Sequence, residues 1–392
     1  IVLKQQDTLC LFFTSGSTGA PKAAIWSQEN VLSQITLKNE NLDKLHGYKD
    51  ITVFPFFLLT SLLKGMTCII PEVNFSNPIS SNPLNIVNAI NEFDISSGFA
   101  SPTFWNKIVN YCISKNITLK SLKMVTTAGS PVHPNLIKKM LGVMKNAEVS
   151  TPYGATEAIL PIATVNASVI LSKEIISKTL SGKGICLGKP VKTATLLIIK
   201  PLEDKKYLWS NVDILQPYEI GEIIVSGPMV TQGYYNNESA TSNSKLIETF
   251  STGDFKRLYH RMGDLGYFDN KGNLWFCGRK KDAFTHNNYT FYTANTEALF
   301  NSVLEIKRCA IIKSEKSDKV FLIIETYDIK EFISLQKKVF ELIDKLNIPI
   351  DKVLLYKKPF PVDNRHNTKI ERHILKNELE NNYKTNFSEL KL

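Results

Sequence analysis

Apolar runs that alternate with amphipathic segments in the first part of the chain constrain its fold more than any other feature. Helical periodicity falls at 86–92, 102–115 and 134–144, and short apolar runs at 95–100 and 124–127 are typical of buried strands. Alternation at this spacing favours parallel pairing, because each connecting helix packs on a face of the sheet. The sequence therefore predicts an α/β fold with a largely parallel sheet.

The rest of the chain has a different texture. From about Cys186 onward, β-rich runs joined by polar loops predict a β-rich part, and beyond Gly278 the pattern is that of a smaller α+β region. We also expect a strand over 51–57, a polar surface segment over 236–252 and an amphipathic helix over 296–301.

Composition limits the classes of function. The 392 residues are 43% hydrophobic, enough for two or three domains. The net charge is +10, but the lysines are scattered, which favours an anionic nucleotide substrate or a solvated surface over nucleic-acid binding. Six separated cysteines without a CxxC pair indicate reduced thiols of a cytoplasmic protein. No apolar run predicts a transmembrane segment.

A loop rich in Thr, Ser and Gly follows the apolar residues Leu11–Phe13 and ends at Lys22. Small hydroxyl residues and glycines let the backbone aim N–H and O–H donors at an anion, and the lysine adds a mobile charge. The loop is not a Walker A motif, because Lys22 lies between Pro21 and Ala23. Alone, it is more typical of a flexible turn than of a phosphate-binding loop. Because it begins so close to a first residue that is not Met, we expect the chain to start inside a longer protein.

Two further motifs carry candidate nucleotide ligands. In Tyr153–Glu157 an aromatic ring can stack on a purine and a carboxylate can hold Mg²⁺, although a solvated glutamate at a strand end fits equally well. The sequence around Gly263 and Asp264 predicts a tight turn whose carboxylate could accept hydrogen bonds from ribose hydroxyls. Such turns are usually structural.

Two charged segments near the C-terminus are ambiguous by themselves. The cluster at 279–282 could be a solvated linker or a hinge, and Lys369 lies in a polar loop before a predicted helix. A glycine-rich stretch at 182–188 has the wrong final spacing for a dinucleotide-binding motif and is rejected as one.

Taken together and in order, these motifs resemble the adenylate-forming enzymes: acyl-CoA synthetases, peptide-synthetase adenylation domains and luciferases. The resemblance covers essentially the whole chain and implies an α/β fold with mixed sheets and a β-rich part. It implies a large adenylation domain over 1–278, a hinge at 279–281 and a small, mobile α+β domain over 282–392. It also implies that the N-terminal part of such enzymes is missing.

The resemblance implies ATP, AMP and acyl-AMP as ligands, with Mg²⁺ as the metal. It implies that Lys369, Glu157 and Arg279 are catalytic, that Glu157 and Thr18 hold the metal, and that Lys281 belongs to the hinge. The residues that it implies for nucleotide binding are Thr14, Ser15, Gly16, Ser17, Thr18, Gly19, Lys22, Gly129, Ser130, Tyr153, Gly154, Thr156, Asp264 and Arg279.

Within this superfamily, residues 151–163, 260–279 and 360–369 look like the olefin β-lactone synthetases. That likeness implies a fatty acid, or a 3-hydroxy fatty acid, that is activated as an acyl-adenylate and closed to a β-lactone, together with assembly with olefin-pathway enzymes. The sequence RHN-x-K replaces the usual SGK before the catalytic lysine, and residues 284–291 lack a glycine typical of CoA-forming relatives. CoA is therefore disfavoured.

Two alternatives stay open: a medium- or long-chain acyl-CoA or acyl-AMP ligase, and an inactive nucleotide-binding remnant. Phe56, Phe57 and Phe104 are candidates for an acyl tunnel, though aromatics at this spacing are more often core residues. His366 is a candidate base for the substrate hydroxyl, and a structural role in its loop fits as well.

Overall fold

The computed structural model describes residues 2–14, 21–36, 47–250, 256–327, 332–363 and 367–390. The strands of these residues are β1 (Thr8–Thr14), β2 (Lys22–Ser27), β3 (Lys49–Thr52), β4 (Thr67–Ile69), β5 (Ser97–Ala100), β6 (Met124–Thr127), β7 (Glu148–Ala155), β8 (Ala158–Asn166), β9 (Ile185–Pro190), β10 (Thr195–Ile199), β11 (Gly221–Ser226), β12 (Lys245–Thr249), β13 (Lys256–Phe268), β14 (Leu274–Arg279), β15 (Phe284–His286), β16 (Tyr289–Phe291), β17 (Ile306–Lys313), β18 (Val320–Thr326), β19 (Lys352–Tyr356) and β20 (Phe387–Leu390).

The α-helices of the same residues are α1 (Gln28–Thr36), α2 (Pro55–Leu63), α3 (Pro83–Glu92), α4 (Pro102–Ser114), α5 (Pro134–Val143), α6 (Ala167–Ile170), α7 (Lys173–Leu180), α8 (Glu238–Ser244), α9 (Thr293–Phe300), α10 (Phe332–Leu346), α11 (Arg372–Asn381) and α12 (Tyr383–Asn386). Among the residues that the structure describes, no helix combines the length and apolar character needed to cross a membrane.

One large mixed sheet organises the first three quarters of the chain. In the described ranges it has 12 strands in the order β10-β11-β13-β14-β9-β8-β7-β6-β5-β3-β4, with β12 paired to β13. The strands from β4 to β7 pair in parallel, and α3, α4 and α5 connect them. The strands from β8 to β11 and β14 pair antiparallel. The predicted α/β fold with a β-rich second part is confirmed.

Helix α4 shows how the sequence builds the parallel half. The Ser101 hydroxyl accepts the Phe104 N–H at 3.3 Å, and Pro102 occupies the first helical position, where its missing N–H costs nothing. Apolar residues at helical spacing, including Trp105 and Ile108, are then fully buried in the core. This N-terminus points into the large cleft described below.

The C-terminal region forms a smaller α+β unit with its own sheet. The order β17-β18-β19-β20 has the parallel pair β18–β19 at its centre and antiparallel strands on both sides. Two apolar clusters cover its faces: one includes Leu335 and Val339 of α10, and the other includes Leu375 and Leu379 of α11. The predicted α+β character is confirmed, whereas the domain limits stay a prediction.

Three local predictions were wrong. The strand expected over 51–57 ends at Thr52, and helix α2 begins at Pro55, whose fixed φ suits a first helical turn. The helix near 296–301 spans Thr293–Phe300 and is buried on every residue, because it contacts β14 on one side and β17 on the other. It is therefore not amphipathic.

The polar segment expected at the surface over 236–252 is also partly internal. Strand β12 pairs with β13, and its first two residues, Lys245 and Leu246, are buried. Residues 251 and 252 lie outside the described part of the chain.

Candidate active site

The ends of the Ser/Gly loop are held together by a two-stranded hairpin. Strands β1 and β2 pair antiparallel, and Thr14 lies directly opposite Lys22 at the end of the ladder. The predicted ligands between them, Ser15, Gly16, Ser17, Thr18 and Gly19, lie outside the described residues. The Lys22 ammonium is 5.4 Å from the centre of the Tyr234 ring, within the range of a cation–π contact.

The segment Tyr153–Glu157 comprises the last three residues of β7 and the two-residue turn that leads into β8. Gly154 is required there, because a Cβ would lie 2.7 Å from the backbone of Leu160. The carbonyl oxygen of Thr156 accepts a hydrogen bond from Trp26 Nε1 at 2.9 Å. Glu157 Oε1 accepts one from the Tyr234 hydroxyl at 2.7 Å. The turn is thus fastened to β2 and to residue 234.

Asp264 lies inside strand β13 and not in the tight turn that the sequence predicts. Gly263 has a φ of +64°, and the strand carries register shifts on both of its neighbours, so the backbone is bulged at this point. The bulge turns a buried carboxylate toward the cleft, where Tyr153 donates its hydroxyl to Oδ2 at 2.5 Å. Arg279 Nη1 is 3.0 Å from Oδ1, because Asp264 and Arg279 are cross-strand partners in β13 and β14.

The protonation of this group follows from its surroundings. Burial raises the pKa of Asp264, and the Arg279 charge and the Tyr153 hydrogen bond act in the opposite direction. Burial and the neighbouring carboxylate raise the pKa of Tyr153, so its hydroxyl stays a donor. Within the described residues, Asp264 Oδ1 is buried and ion-paired with Arg279, but it accepts no well-aligned hydrogen bond. It is an acceptor that a ligand hydroxyl would satisfy.

Lys369 lines the same cleft from the small C-terminal unit. The carboxylate of Asp363 accepts the backbone N–H groups of Thr368 and Lys369 at 3.1 and 2.7 Å, which fixes the loop. The loop also contacts the large unit: Thr103 donates its hydroxyl to the Asn367 carbonyl at 3.2 Å. Desolvation and the nearby Arg279 lower the pKa of Lys369. His366 lies outside the described residues.

The segment after β14 joins the two units. Residues Lys280–Asp282 form a single 3-10 turn. Arg372, the first residue of α11, donates to Glu297 Oε2 at 2.7 Å, and its Nε is 3.4 Å from Asp282 Oδ2. One partly buried guanidinium therefore links the turn, helix α9 and the helix that follows Lys369.

All of the predicted ligands that the structure describes line one cleft with a volume of about 2070 Å³. They are Thr14, Lys22, Gly129, Ser130, Tyr153, Gly154, Thr156, Glu157, Asp264, Arg279, Lys281 and Lys369. Residues separated by hundreds of positions in sequence are thus brought to one place. These predicted ligands contribute two carboxylates and four cationic side chains to the cleft.

Four aromatic rings pack together as a wall of the same cleft. Phe56 packs edge-to-face on Trp26 at 4.7 Å and on Phe57 at 5.1 Å, and Phe57 packs on Phe99 at 3.8 Å between ring centres. These four rings line the cleft. Phe104 does not, because it is buried in the core with 2% of its surface exposed. The wall is suited to an apolar group.

Two elements of the site have no signal in the sequence analysis. Tyr234 contacts both Lys22 and Glu157, but it lies in an ordinary Gly-Tyr-Tyr-Asn stretch. Lys245 donates to the carbonyl of Thr231, whose N–H and hydroxyl bond the Glu157 carbonyl at 3.0 and 3.1 Å. A long-range aromatic or buried lysine of this kind cannot be found from local patterns.

Comparison with known proteins decides the family. A family model described as AMP-binding enzyme matches residues 2–235. The chain belongs to the AMP-binding enzyme family. It is 34% identical over 307 residues to the olefin beta-lactone synthetase of Xanthomonas campestris pv. campestris, which covers 78% of this chain and 54% of that relative. The chain thus spans about half the length of this curated relative.

Solved structures share the fold. The O-succinylbenzoate coenzyme A synthetase of Bacillus subtilis in complex with AMP is 22% identical and has a TM-score of 0.73, over 95% of this chain and 70% of that one. The same enzyme in complex with ATP and a magnesium ion has a TM-score of 0.71 and 22% identity, over 97% of this chain and 71% of that one. The resemblance to adenylate-forming enzymes predicted from the motifs is confirmed.

Proposed function

We propose that this chain carries the nucleotide-binding and catalytic part of an ATP- and Mg²⁺-dependent enzyme that activates a carboxylic acid as an acyl-adenylate. The observation that supports it is the gathering of Glu157, Asp264, Arg279 and Lys369, with Lys22, around one cleft. In the reaction, a carboxylate oxygen attacks the α-phosphorus, the bond from this atom to the bridging oxygen breaks, and pyrophosphate leaves. Positioning and charge neutralisation dominate such a transfer.

The nucleoside would be held by the buried pair of Asp264 and Tyr153. The acceptor Asp264 Oδ1 has no hydrogen bond among the described residues, which suits a ribose hydroxyl donor. The Arg279 charge opposes the rise that burial causes in the pKa of Asp264, and its guanidinium lies close enough to contact the ribose as well. The Tyr153 ring and the backbone at Gly129 and Ser130 line the space left for adenine.

Magnesium fits the donors at Glu157. No group of three or more Asp, Glu, His or Cys side chains that could hold a metal occurs in the described ranges. Mg²⁺ commonly takes one or two protein carboxylates and completes its shell with phosphate oxygens and water, so a single glutamate is adequate. When bound, Mg²⁺ neutralises charge on the phosphates. Lys22 and the loop before it would bind the β- and γ-phosphates, and Thr18 would add a hydroxyl.

Lys369 would neutralise charge between the attacking carboxylate and the α-phosphate. The backbone N–H of Lys369 is held by the Asp363 carboxylate at 2.7 Å. The lowered pKa of Lys369 reflects desolvation that binding of an anion would offset. We place the hinge at 279–281, with Lys281, between a domain over 1–278 and one over 282–392. Rotation there would bring Lys369 into or out of the cleft.

The acid that suits the aromatic wall is a fatty acid. The 34% identical relative is an olefin beta-lactone synthetase, which favours a 3-hydroxy fatty acid. After adenylation, the β-hydroxyl oxygen would attack the acyl carbonyl carbon, AMP would leave, and the hydroxyl proton would pass to water, closing a β-lactone. The fold likeness to a coenzyme A synthetase supports a second candidate in which a CoA thiol takes the place of the hydroxyl.

Product analysis separates these candidates. Mass spectrometry of a reaction with ATP, Mg²⁺ and a 3-hydroxy fatty acid should detect AMP, pyrophosphate and a product lighter than the acid by one water. The same reaction with CoA should give no acyl-CoA. If acyl-CoA accumulates and no lactone forms, the second candidate is correct. If no pyrophosphate is released from any acid, adenylation by this chain is ruled out.

The role of Lys369 has its own test. Removing one charge that stabilises the transition state costs about 2–4 kcal/mol, so Lys369→Ala should release pyrophosphate about 30- to 1,000-fold more slowly. The affinity for AMP, measured by calorimetry, should be unchanged. Lys358→Ala, which removes an exposed lysine of the same unit, is the matched control. An unaltered rate in Lys369→Ala would refute the assignment.

A further inference from the structure

The segment 231–235 fastens the two phosphate-binding parts of the cleft to each other. On one side its backbone is bonded to β2: Ile25 N–H donates to the Gly233 carbonyl at 3.0 Å, and Tyr235 N–H donates to the Ala23 carbonyl at 2.8 Å. On the other side, the N–H of Thr231 donates to the carbonyl of Glu157 at 3.0 Å. Because Lys22 is the first residue of β2, the strand that carries Lys22 and the turn that carries Glu157 are both hydrogen-bonded to the segment 231–235.

Tyr234 is the side chain of this segment that reaches both groups. Its hydroxyl donates to Glu157 Oε1 at 2.7 Å, and the face of its ring lies 5.4 Å from Lys22 Nζ. Its own N–H is bonded to Thr241 Oγ1 at 2.9 Å, and 9% of the residue is exposed. The ring is therefore fixed before any ligand arrives.

The hydrogen bond selects one oxygen of the carboxylate. Burial and the adjacent Glu157 raise the pKa of Tyr234, so the phenol keeps its proton and acts as a donor. In the described part of the chain no hydrogen bond reaches Glu157 Oε2, which leaves that oxygen for a cation. A donor behind a metal-binding carboxylate fixes the orientation of the group, as outer-shell partners do in metal sites.

We propose that Tyr234 is a positioning residue that sets the placement of the metal-binding Glu157 relative to the phosphate-binding Lys22. The proposal rests on the proposed function, because it assumes that Glu157 meets Mg²⁺ and Lys22 meets the outer phosphates. Tyr234 acts only on groups beyond the α-phosphate. Binding of Mg²⁺-ATP should therefore depend on it, and binding of AMP should not.

Tyr234→Phe tests the hydroxyl while keeping the ring next to Lys22. Calorimetry should show about tenfold weaker binding of Mg²⁺-ATP and unchanged binding of AMP. A tenfold loss is about the lower end of the effect of removing an outer-shell partner of a metal ligand. Tyr234→Leu, which also removes the ring, should weaken Mg²⁺-ATP further. The neighbouring phenol provides the matched control: Tyr235 is 54% exposed, and Tyr235→Phe should bind both nucleotides as the wild type does.

The outcomes distinguish the two levels of inference. Equal loss of affinity for Mg²⁺-ATP and for AMP in Tyr234→Phe would mean that the residue only supports the fold. No loss of affinity for either nucleotide would mean that the hydroxyl does not contribute to binding. Either result overturns the positioning role. If the wild-type chain itself binds no Mg²⁺-ATP, the proposed function fails first, whatever the variants do.

Discussion

The buried lysine Lys245, which lies near the turn that carries Glu157, predicts an unusual dependence of stability on pH. Lys245 is 7% exposed, its ammonium bonds the Thr231 carbonyl and hydroxyl, and its cross-strand partner in β13 is His260. None of the described side chains that bond it is a carboxylate. Burial lowers the pKa of Lys245 from 10.5 to about 7, and the Glu157 charge opposes this only in part.

The magnitude follows from linkage. Each pKa unit corresponds to about 1.4 kcal/mol, so burying the charged form of Lys245 costs roughly 5 kcal/mol below pH 7. The unfolded chain keeps this proton up to about pH 10.5, whereas the folded chain releases it near pH 7. Because the unfolded state then binds more protons, Lys245 makes the folded state more stable as pH rises between these values. Below pH 7 its cost is constant.

Replacing the ammonium isolates this contribution. Lys245→Met keeps an unbranched apolar stem of similar length and cannot be charged. Urea unfolding of the wild type and the variant, followed by tryptophan fluorescence at pH 6.5 and pH 9, gives two differences in unfolding free energy. From pH 6.5 to pH 9 the wild type should gain about 3 kcal/mol relative to Lys245→Met. The exposed Lys200 supplies the control, and Lys200→Met should show no such change. Parallel pH profiles for the wild type and Lys245→Met would refute the reasoning.

Two further outcomes are expected. Glu222→Gln removes one partner of a buried ion pair in which Arg261 Nη2 is 3.0 Å from Glu222 Oε2. Urea unfolding should show a loss of about 3–5 kcal/mol in the free energy of unfolding. A loss under about 1 kcal/mol would contradict this expectation. Thr103→Val removes the hydroxyl that donates to the Asn367 carbonyl. Pyrophosphate release should slow by up to about tenfold, and the affinity for AMP should be unchanged, because this contact affects only how the loop of Lys369 docks. A weaker affinity for AMP in Thr103→Val would instead indicate damage to the nucleotide site.

Local sequence patterns were sufficient to predict the type and limits of elements that follow a single periodicity. Helix α5 was predicted over 134–144 and spans Pro134–Val143, and strand β6 was predicted at its observed limits. The run after Thr52 was assigned to a strand because continuous apolar residues fit a buried strand and a buried helix equally well. Helix α9 was predicted to be amphipathic, yet it packs against β14, β17 and α7 and is buried at every residue, which no local pattern can show.

The residues of the candidate site likewise include some that local motifs predict and some that they do not. The residues at 153, 157, 264, 279 and 369 were found because each lies in a short motif whose order along the chain is informative. That Asp264 sits in a bulged strand was not found, because Gly-Asp is typical of turns and the bulge arises from pairing with β11 and β14. Tyr234 was missed for a related reason, because Glu157 and Lys22 lie 77 and about 210 positions away from it in the chain. Lys245 was missed because its burial against Thr231, 14 positions earlier, follows from tertiary packing and leaves no local pattern.

The contacts of Arg372 have a consequence for recombining this chain with its relatives. The guanidinium is shared by Asp282 and Glu297, which lie on either side of the β15–β16 hairpin. A chimaera joined ahead of Asp282 would inherit all three charged groups from one parent, and the helix that follows Lys369 would keep its orientation. A chimaera joined within the hairpin would combine carboxylates from two parents around one partly buried cation. The point at which two parent sequences can be joined is therefore limited by the ion pairs of Arg372 and not by the position of the β15–β16 hairpin.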